Sequence, residues 1–215
     1  MERTDLIREL HDRRLVAVIR SKSSEEAMAT AKAAILGGVN FVEVTFSVPG
    51  ALDVIKNLAA ESKARVGAGT VLSKNEAEAA ITAGAQFVVS PCLELALIPL
   101  CHEANVACYS GAATPTEVIA AARAGADLVK IFPADCLGGA NFIRQMAGPF
   151  PEVRFMVSGG VSLINVKDYV HAGVTGICLG SAFLASVLAE QGERGLVNEV
   201  KEFVKFVARA QSENR

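Results

Sequence analysis

The chain has 215 residues, 51% of them apolar and 20% charged, with a formal net charge of -2. That length and apolar share provide one sizeable core and exclude global disorder; the near-neutral balance leaves no electrostatic footprint for nucleic acid or an anionic membrane. No apolar run approaches the roughly 18 residues of a membrane span, and Met1-Glu2-Arg3-Thr4-Asp5 is too charged to open a signal peptide, so a cytoplasmic protein is expected.

An amphipathic pattern over 4–14 predicts a first helix, and a second terminal helix is expected over 195–211. Between them, strand-like apolar runs occupy 15–20, 41–46, 65–71, 87–91, 107–111, 128–133, 154–159 and 176–181. The segments separating these runs have helical periodicity and Ala-rich faces. Ser23-Ser24-Glu25-Glu26 and Ser73-Lys74-Asn75-Glu76 read as capping boxes, and Thr114-Pro115-Thr116-Glu117 adds proline at the first helical position. Gly38, Gly84, Gly125 and Gly173 read as helix stops before a strand. Their spacings of 46, 41 and 48 residues each hold two strand–helix units.

Eight strands alternating with helices and lacking hairpin turns imply parallel pairing through right-handed crossovers. The expected class is α/β, a single (β/α)₈ barrel domain over 1–215 with an extra N-terminal helix. A doubly wound open sheet fits less well, because no G-x-G-x-x-G follows the first strand and no single switch point is evident.

Barrel chemistry sits at the C-terminal strand ends, so the polar residues there are the candidates. Lys130 stands within Leu128-Val129-Lys130-Ile131-Phe132-Pro133, whereas the other eight lysines lie in polar or helix-like surroundings. Burial pushes a lysine toward the neutral amine, which can form a Schiff base with a carbonyl. The alternative is a strand-end lysine that snorkels or closes a salt bridge. Glu43, flanked by apolar residues in Phe41-Val42-Glu43-Val44-Thr45-Phe46, must be paired or protonated. Its structural partner is left open between Arg20 and Lys130. Arg20, Thr70 and Ser90-Pro91 end the first, third and fourth runs. The last two runs end in Ser158-Gly159-Gly160 and Gly180-Ser181-Ala182, glycine-rich turns at the usual phosphate position of such barrels. These glycines could equally serve only as tight turns.

The five cysteines contain no C-x-x-C and mostly adjoin apolar residues, consistent with reduced, buried thiols. His11, His102 and His171 all fall in helix-like segments, which argues against a histidine-ligated metal.

Phe41-Val42-Glu43-Val44-Thr45, Val66-Gly67-Ala68-Gly69-Thr70-Val71, Val89-Ser90-Pro91, Val129-Lys130-Ile131-Phe132-Pro133-Ala134 and Ser158-Gly159-Gly160-Val161 occur in that order. Together, over roughly 13–185, they resemble the class I 2-keto-3-deoxy-6-phosphogluconate (KDPG)/4-hydroxy-2-oxoglutarate aldolase family. The resemblance implies a metal-free barrel without a cofactor, commonly a homotrimer, acting on a small keto-acid substrate. It implies Lys130 as the Schiff-base lysine and Glu43 as general acid/base. Thr70, Pro91 and Phe132 would contact the substrate, and Gly159, Gly160 and Ser181 its phosphate. Many members carry an arginine where this chain has Ser47. A subgroup instead has one at the end of the first strand, as Arg20 is, so Arg20 is expected to bind the carboxylate. Ser158 stands where threonine is common, and Cys108-Tyr109-Ser110 where a proline is common.

The expected reaction starts from a Lys130 kept neutral by its apolar strand. The competing readings are another phosphate-binding barrel enzyme, such as a sugar-phosphate epimerase or decarboxylase, and a non-catalytic keto-acid sensor. The chain lacks the Asp-x-Lys-x-x-Asp run that suits the former, and a sensor has no use for a buried amine.

Overall fold

The computed structural model describes residues 2–213; Met1, included in the N-terminal reading, lies outside the described residues. Eight parallel strands close into a barrel in chain order. They are β1 (Leu15–Ile19), β2 (Phe41–Thr45), β3 (Arg65–Gly69), β4 (Phe87–Val89), β5 (Ala107–Ala112), β6 (Leu128–Ile131), β7 (Phe155–Val157) and β8 (Gly176–Leu179), with β8 paired back to β1. The connecting helices are α2 (Ser24–Leu36), α3 (Ala51–Glu61), α4 (Lys74–Thr82), α5 (Leu97–Glu103), α6 (Pro115–Arg123), α7 (Ala140–Ala147) and α8 (Val166–His171). The helix α1 (Arg3–Arg13) precedes the barrel and α9 (Ser181–Glu213) follows it.

Most strands stop short of their apolar runs. Arg20, Thr70, Pro91, Phe132, Ser158 and Ser181 all lie just past the last ladder residue. Pro133 illustrates one cause: it has no N–H to extend β6. These run ends therefore stand in turns at the C-terminal mouth, except Ser181, which opens α9.

The expected caps form, with one difference. Ser23 and Ser73 accept from the backbone N–H of Glu26 and Glu76. Those glutamates reach back one residue further than a reciprocal box requires, to the N–H groups of Lys22 and Leu72. Thr114 and Glu117 make the full reciprocal box. The four stop glycines have φ between 79° and 101°, the left-handed conformation that ends a helix. The expected terminal helix is longer than its pattern suggested. It merges with the helix after β8 across Gly192, where φ is 67° and ψ is -175°.

Side chains alternate about the barrel wall as the pleat requires. Val42, Val44, Val129 and Ile131 face the helices. Phe41, Phe87, Tyr109, Leu128 and Met156 fill the interior together with Leu6, Ile7 and Leu10 of α1. Phe87 stacks on Tyr109 at 5.2 Å between ring centroids. The extra helix thus plugs the N-terminal mouth, and ion pairs from Arg3 to Asp127 and from Glu9 to Arg65 tether it. Among the described residues, the opposite mouth is where a cavity reaches the barrel interior.

Candidate active site

Glu43 on β2 and Lys130 on β6 are four strands apart in a ring of eight, hence on opposite walls. Each shares the inward face of its strand, with Phe41 and Leu128 respectively. Lysine's four-carbon stem spans the gap: Nζ donates to Glu43 Oε1 at 3.1 Å and to Oε2 at 3.3 Å. Glu43 is 1% exposed and Lys130 5%. Of the two partners left open for Glu43, the one observed is Lys130.

This pairing corrects the expectation of a neutral amine at rest. Burial lowers the pKa of Lys130, but the charge of Glu43, the neighbouring Cys178 and the hydrogen bond to Glu43 together outweigh it, leaving the amine above the ordinary lysine value. The apolar strand supplies the desolvation; the carboxylate across the barrel keeps the proton in place. Phe132 adds a ring 6.0 Å from Nζ. Beside the pair on β8, burial, partly offset by the charge of Lys130, pushes the Cys178 thiol up to about 12.

One cavity of about 510 Å³ opens above the ion pair, and all nine candidate residues line it. Lys130, Glu43, Arg20, Thr70, Pro91, Phe132, Gly159, Gly160 and Ser181 are joined there by Val18, Ser158, Gly180 and Ala182. At one end, Arg20 donates through Nη1 to Ser47 Oγ at 2.8 Å and through Nη2 to Thr70 Oγ1 at 3.1 Å. Thr70 has a φ of 58°, an uncommon conformation for a β-branched residue that costs on the order of 1–3 kcal/mol. Ser90 fixes the turn carrying Pro91, donating from Oγ to Cys92 O at 2.6 Å.

At the other end, Gly159 and Gly160 have φ of 95° and 70°. The backbone of Ser158 accepts from Ala134 N–H and donates to Ile131, linking this turn to the segment after β6. Asn165 braces the same turn: Nδ2 donates to Gly160 O at 2.8 Å, and Oδ1 accepts from Ser162 N–H at 2.9 Å. The start of α9 adds its dipole with no acidic residue in the first turn.

Sequence reasoning missed Asn165 as the brace of the glycine turn and Cys178 as a buried neighbour of the ion pair. Asn165 bonds only to backbone, so no residue pattern announces it. Cys178 could have been placed by counting inward positions along β8. The three histidines lie on α1, α5 and α8, away from this cavity, and His102 faces Asp127 at 3.1 Å. All five cysteines are free; Cys101, Cys108 and Cys178 are buried, and Cys92 and Cys136 are exposed. Among the described residues no helix is long and apolar enough to cross a membrane, and no group of three or more His, Cys, Asp or Glu side chains is placed to hold a metal ion.

Comparison with known proteins agrees with the geometry. The aldolase family of KDPG and KHG aldolases matches residues 6–200. The KHG/KDPG aldolase of Escherichia coli (strain K12) is 38% identical over 171 residues, covering 79% of this chain and 80% of the relative. The crystal structure of the 2-keto-3-deoxy-6-phosphogluconate aldolase from Zymomonas mobilis ATCC 29191 superimposes with a TM-score of 0.82 at 29% identity, over 93% of this chain and 97% of the other. A KDPG aldolase from Legionella pneumophila, with pyruvate captured at low pH as a covalent carbinolamine intermediate, gives a TM-score of 0.77 at 25% identity over 94% of this chain and 95% of the other. The chain belongs to the KDPG and KHG aldolase family, and by that membership is an aldolase, a carbon–carbon lyase on a (β/α)₈ barrel.

Proposed function

We propose that the protein cleaves 2-keto-3-deoxy-6-phosphogluconate to pyruvate and glyceraldehyde 3-phosphate through a Schiff base on Lys130, and acts also on 4-hydroxy-2-oxoglutarate, giving pyruvate and glyoxylate. The observation that carries the reading is the buried Lys130–Glu43 pair beneath a cavity with a guanidinium at one end and a glycine turn at the other. The pyruvate carbinolamine captured in the Legionella enzyme supports the same chemistry.

The ion pair suits this reaction because its charge is conserved. Glu43 takes the Lys130 proton across 3.1 Å, and the freed amine attacks the C2 ketone. Glu43 returns that proton to the former carbonyl oxygen, then relays a second from the same nitrogen, and the oxygen leaves as water with both. An iminium then stands where the ammonium stood, opposite the same carboxylate. It draws electrons from the C3–C4 bond while Glu43, through a water, takes the C4 hydroxyl proton. Bond cleavage yields the aldehyde and an enamine, which Glu43 protonates at C3. Water adds to the iminium and pyruvate leaves. Acid/base help of this kind is worth about 10²–10⁴-fold. Arg20 and Thr70 face the carboxylate end. Phe132 and Pro91 wall the reacting centre. Gly159, Gly160 and Ser181 offer backbone N–H groups and a helix N-terminus to the phosphate.

The reading treats residues 1–215 as one domain, working in the cytoplasm as a homotrimer. Five free thiols support a reducing compartment, and the family resemblance supports the trimer. Sedimentation equilibrium tests the assembly. Borohydride reduction in the presence of pyruvate tests the chemistry: a covalent adduct on Lys130 is expected, and none on folded protein rejects the mechanism. A coupled pyruvate-release assay on both C4 epimers of the phosphorylated substrate then assigns the stereochemistry.

A further inference from the structure

The hydroxyls beside Arg20 form a chain in which the protons can be assigned. The carbonyl of Ile19 only accepts, so its 2.9 Å bond to Thr45 Oγ1 uses the Thr45 proton. Ser47 Oγ lies 2.8 Å from Thr45 Oγ1, and with that proton committed Ser47 must donate to Thr45. Ser47 then offers only lone pairs to its other neighbour. That neighbour is Arg20 Nη1, 2.8 Å away, a group that can only donate. The chain therefore runs one way, from the guanidinium through two hydroxyls to the carbonyl of the residue preceding Arg20.

We propose that Ser47 and Thr45 are positioning residues that hold Arg20 as a clamp for the carboxylate beside the reacting carbonyl. The proposal rests on the Schiff-base reading above. Arg20 lies past the end of β1 on an exposed, rotamer-rich side chain that does not hold one direction by itself. Thr45 is fully buried, so the anchor is rigid. The turn after β2, closed by Val48 N–H donating to Thr45 O at 3.0 Å, sets Ser47 in place. With Nη1 held by Ser47 and Nη2 by Thr70, the remaining N–H groups of the planar fork are left for a carboxylate. Ser47, on the turn after β2, thus becomes the support of an arginine supplied by the neighbouring strand.

The test is borohydride trapping on the full chain with pyruvate and with methyl pyruvate, which keeps the ketone and lacks the charge. Ser47→Ala is expected to raise half-saturating pyruvate about tenfold and to leave methyl pyruvate unchanged. Thr45→Val acts in the same direction, and Ser47→Thr restores the preference for pyruvate. Arg20→Ala sets the ceiling, and adding Ser47→Ala to it brings no further loss. A Ser47→Ala protein with both probes unchanged, or both weakened equally, overturns the proposal. Should Thr45→Val not fold, the exposed position of Ser47 keeps its variants informative. Wild-type protein left unlabelled by pyruvate removes the Schiff-base reading, and the clamp with it; labelled wild type with an unselective Ser47→Ala removes the clamp alone.

Discussion

Gly69 has no side chain where Glu43 needs the space. A Cβ built on Gly69 falls 2.7 Å from Glu43 Cδ and closer still to Oε1. The two residues sit on paired strands, with Glu43 opposite Gly67 and Thr45 opposite Gly69. The carboxyl group therefore leans over the glycine on its way to Lys130. Gly69→Ala is expected to displace the carboxylate and lengthen the ion pair. Overpacking at such a site costs about 1–3 kcal/mol, and turnover should fall at least as far as the acid/base contribution, about 10²-fold. Pyruvate release and thermal melting measure the two effects; unchanged turnover would show that Glu43 has somewhere else to go.

Much of this arrangement was legible in the sequence for a geometric reason. Lys130 and Glu43 interrupt apolar strands, and a charge in such a run has to find a partner. Alternation along each strand placed both side chains on the barrel's inner face. The protonation of Lys130 was not legible, because it depends on the carboxylate across the barrel rather than on residues beside it in the chain. The bond from Arg20 to Ser47 was hidden for the same reason: the two are 27 residues apart and meet only when β1 and β2 pair. The strand ends were overestimated because the residues just beyond β6 and β7, Phe132 and Ser158-Gly159, belong to the cavity wall rather than to the ladder.

Removing one member of the buried pair is expected to destabilise the fold as well as abolish chemistry. Lys130→Met leaves Glu43 buried without its partner, a situation that costs about 3–5 kcal/mol. Adding Glu43→Gln to Lys130→Met removes the stranded charge and should recover most of that loss, without activity. Denaturant unfolding of both variants checks the prediction. A Lys130→Met protein as stable as wild type would mean that the pair contributes nothing to the fold.

The pair also sets an alkaline limit on stability. Burial lowers the Lys130 pKa, and Glu43 together with Cys178 raises it more, so the folded value lies above the ordinary 10.5. A base whose folded pKa is raised contributes stability that is complete below its unfolded pKa and drains away as pH rises through the folded one. Melting temperatures measured from about pH 9 to about pH 12 should therefore fall more steeply in wild type than in Lys130→Met/Glu43→Gln. Parallel curves would assign the alkaline loss to other groups.

Asn165 separates the phosphate end of the cavity from the chemistry. Its amide donates to Gly160 O and accepts from Ser162 N–H, so one side chain braces both sides of the turn that presents Gly159 and Gly160. It does not touch Lys130 or Glu43. Asn165→Ala is expected to raise KM for the phosphorylated substrate about tenfold, the worth of a hydrogen-bonded brace on a charged ligand. KM for 4-hydroxy-2-oxoglutarate, which has no phosphate, should stay the same. Asn165→Asp loses the donation to Gly160 and adds a negative charge near the anion, so its effect on the phosphorylated substrate should be larger. Equal losses on both substrates would mean that Asn165 supports the barrel generally, and no loss on either would remove the glycine turn as the phosphate site.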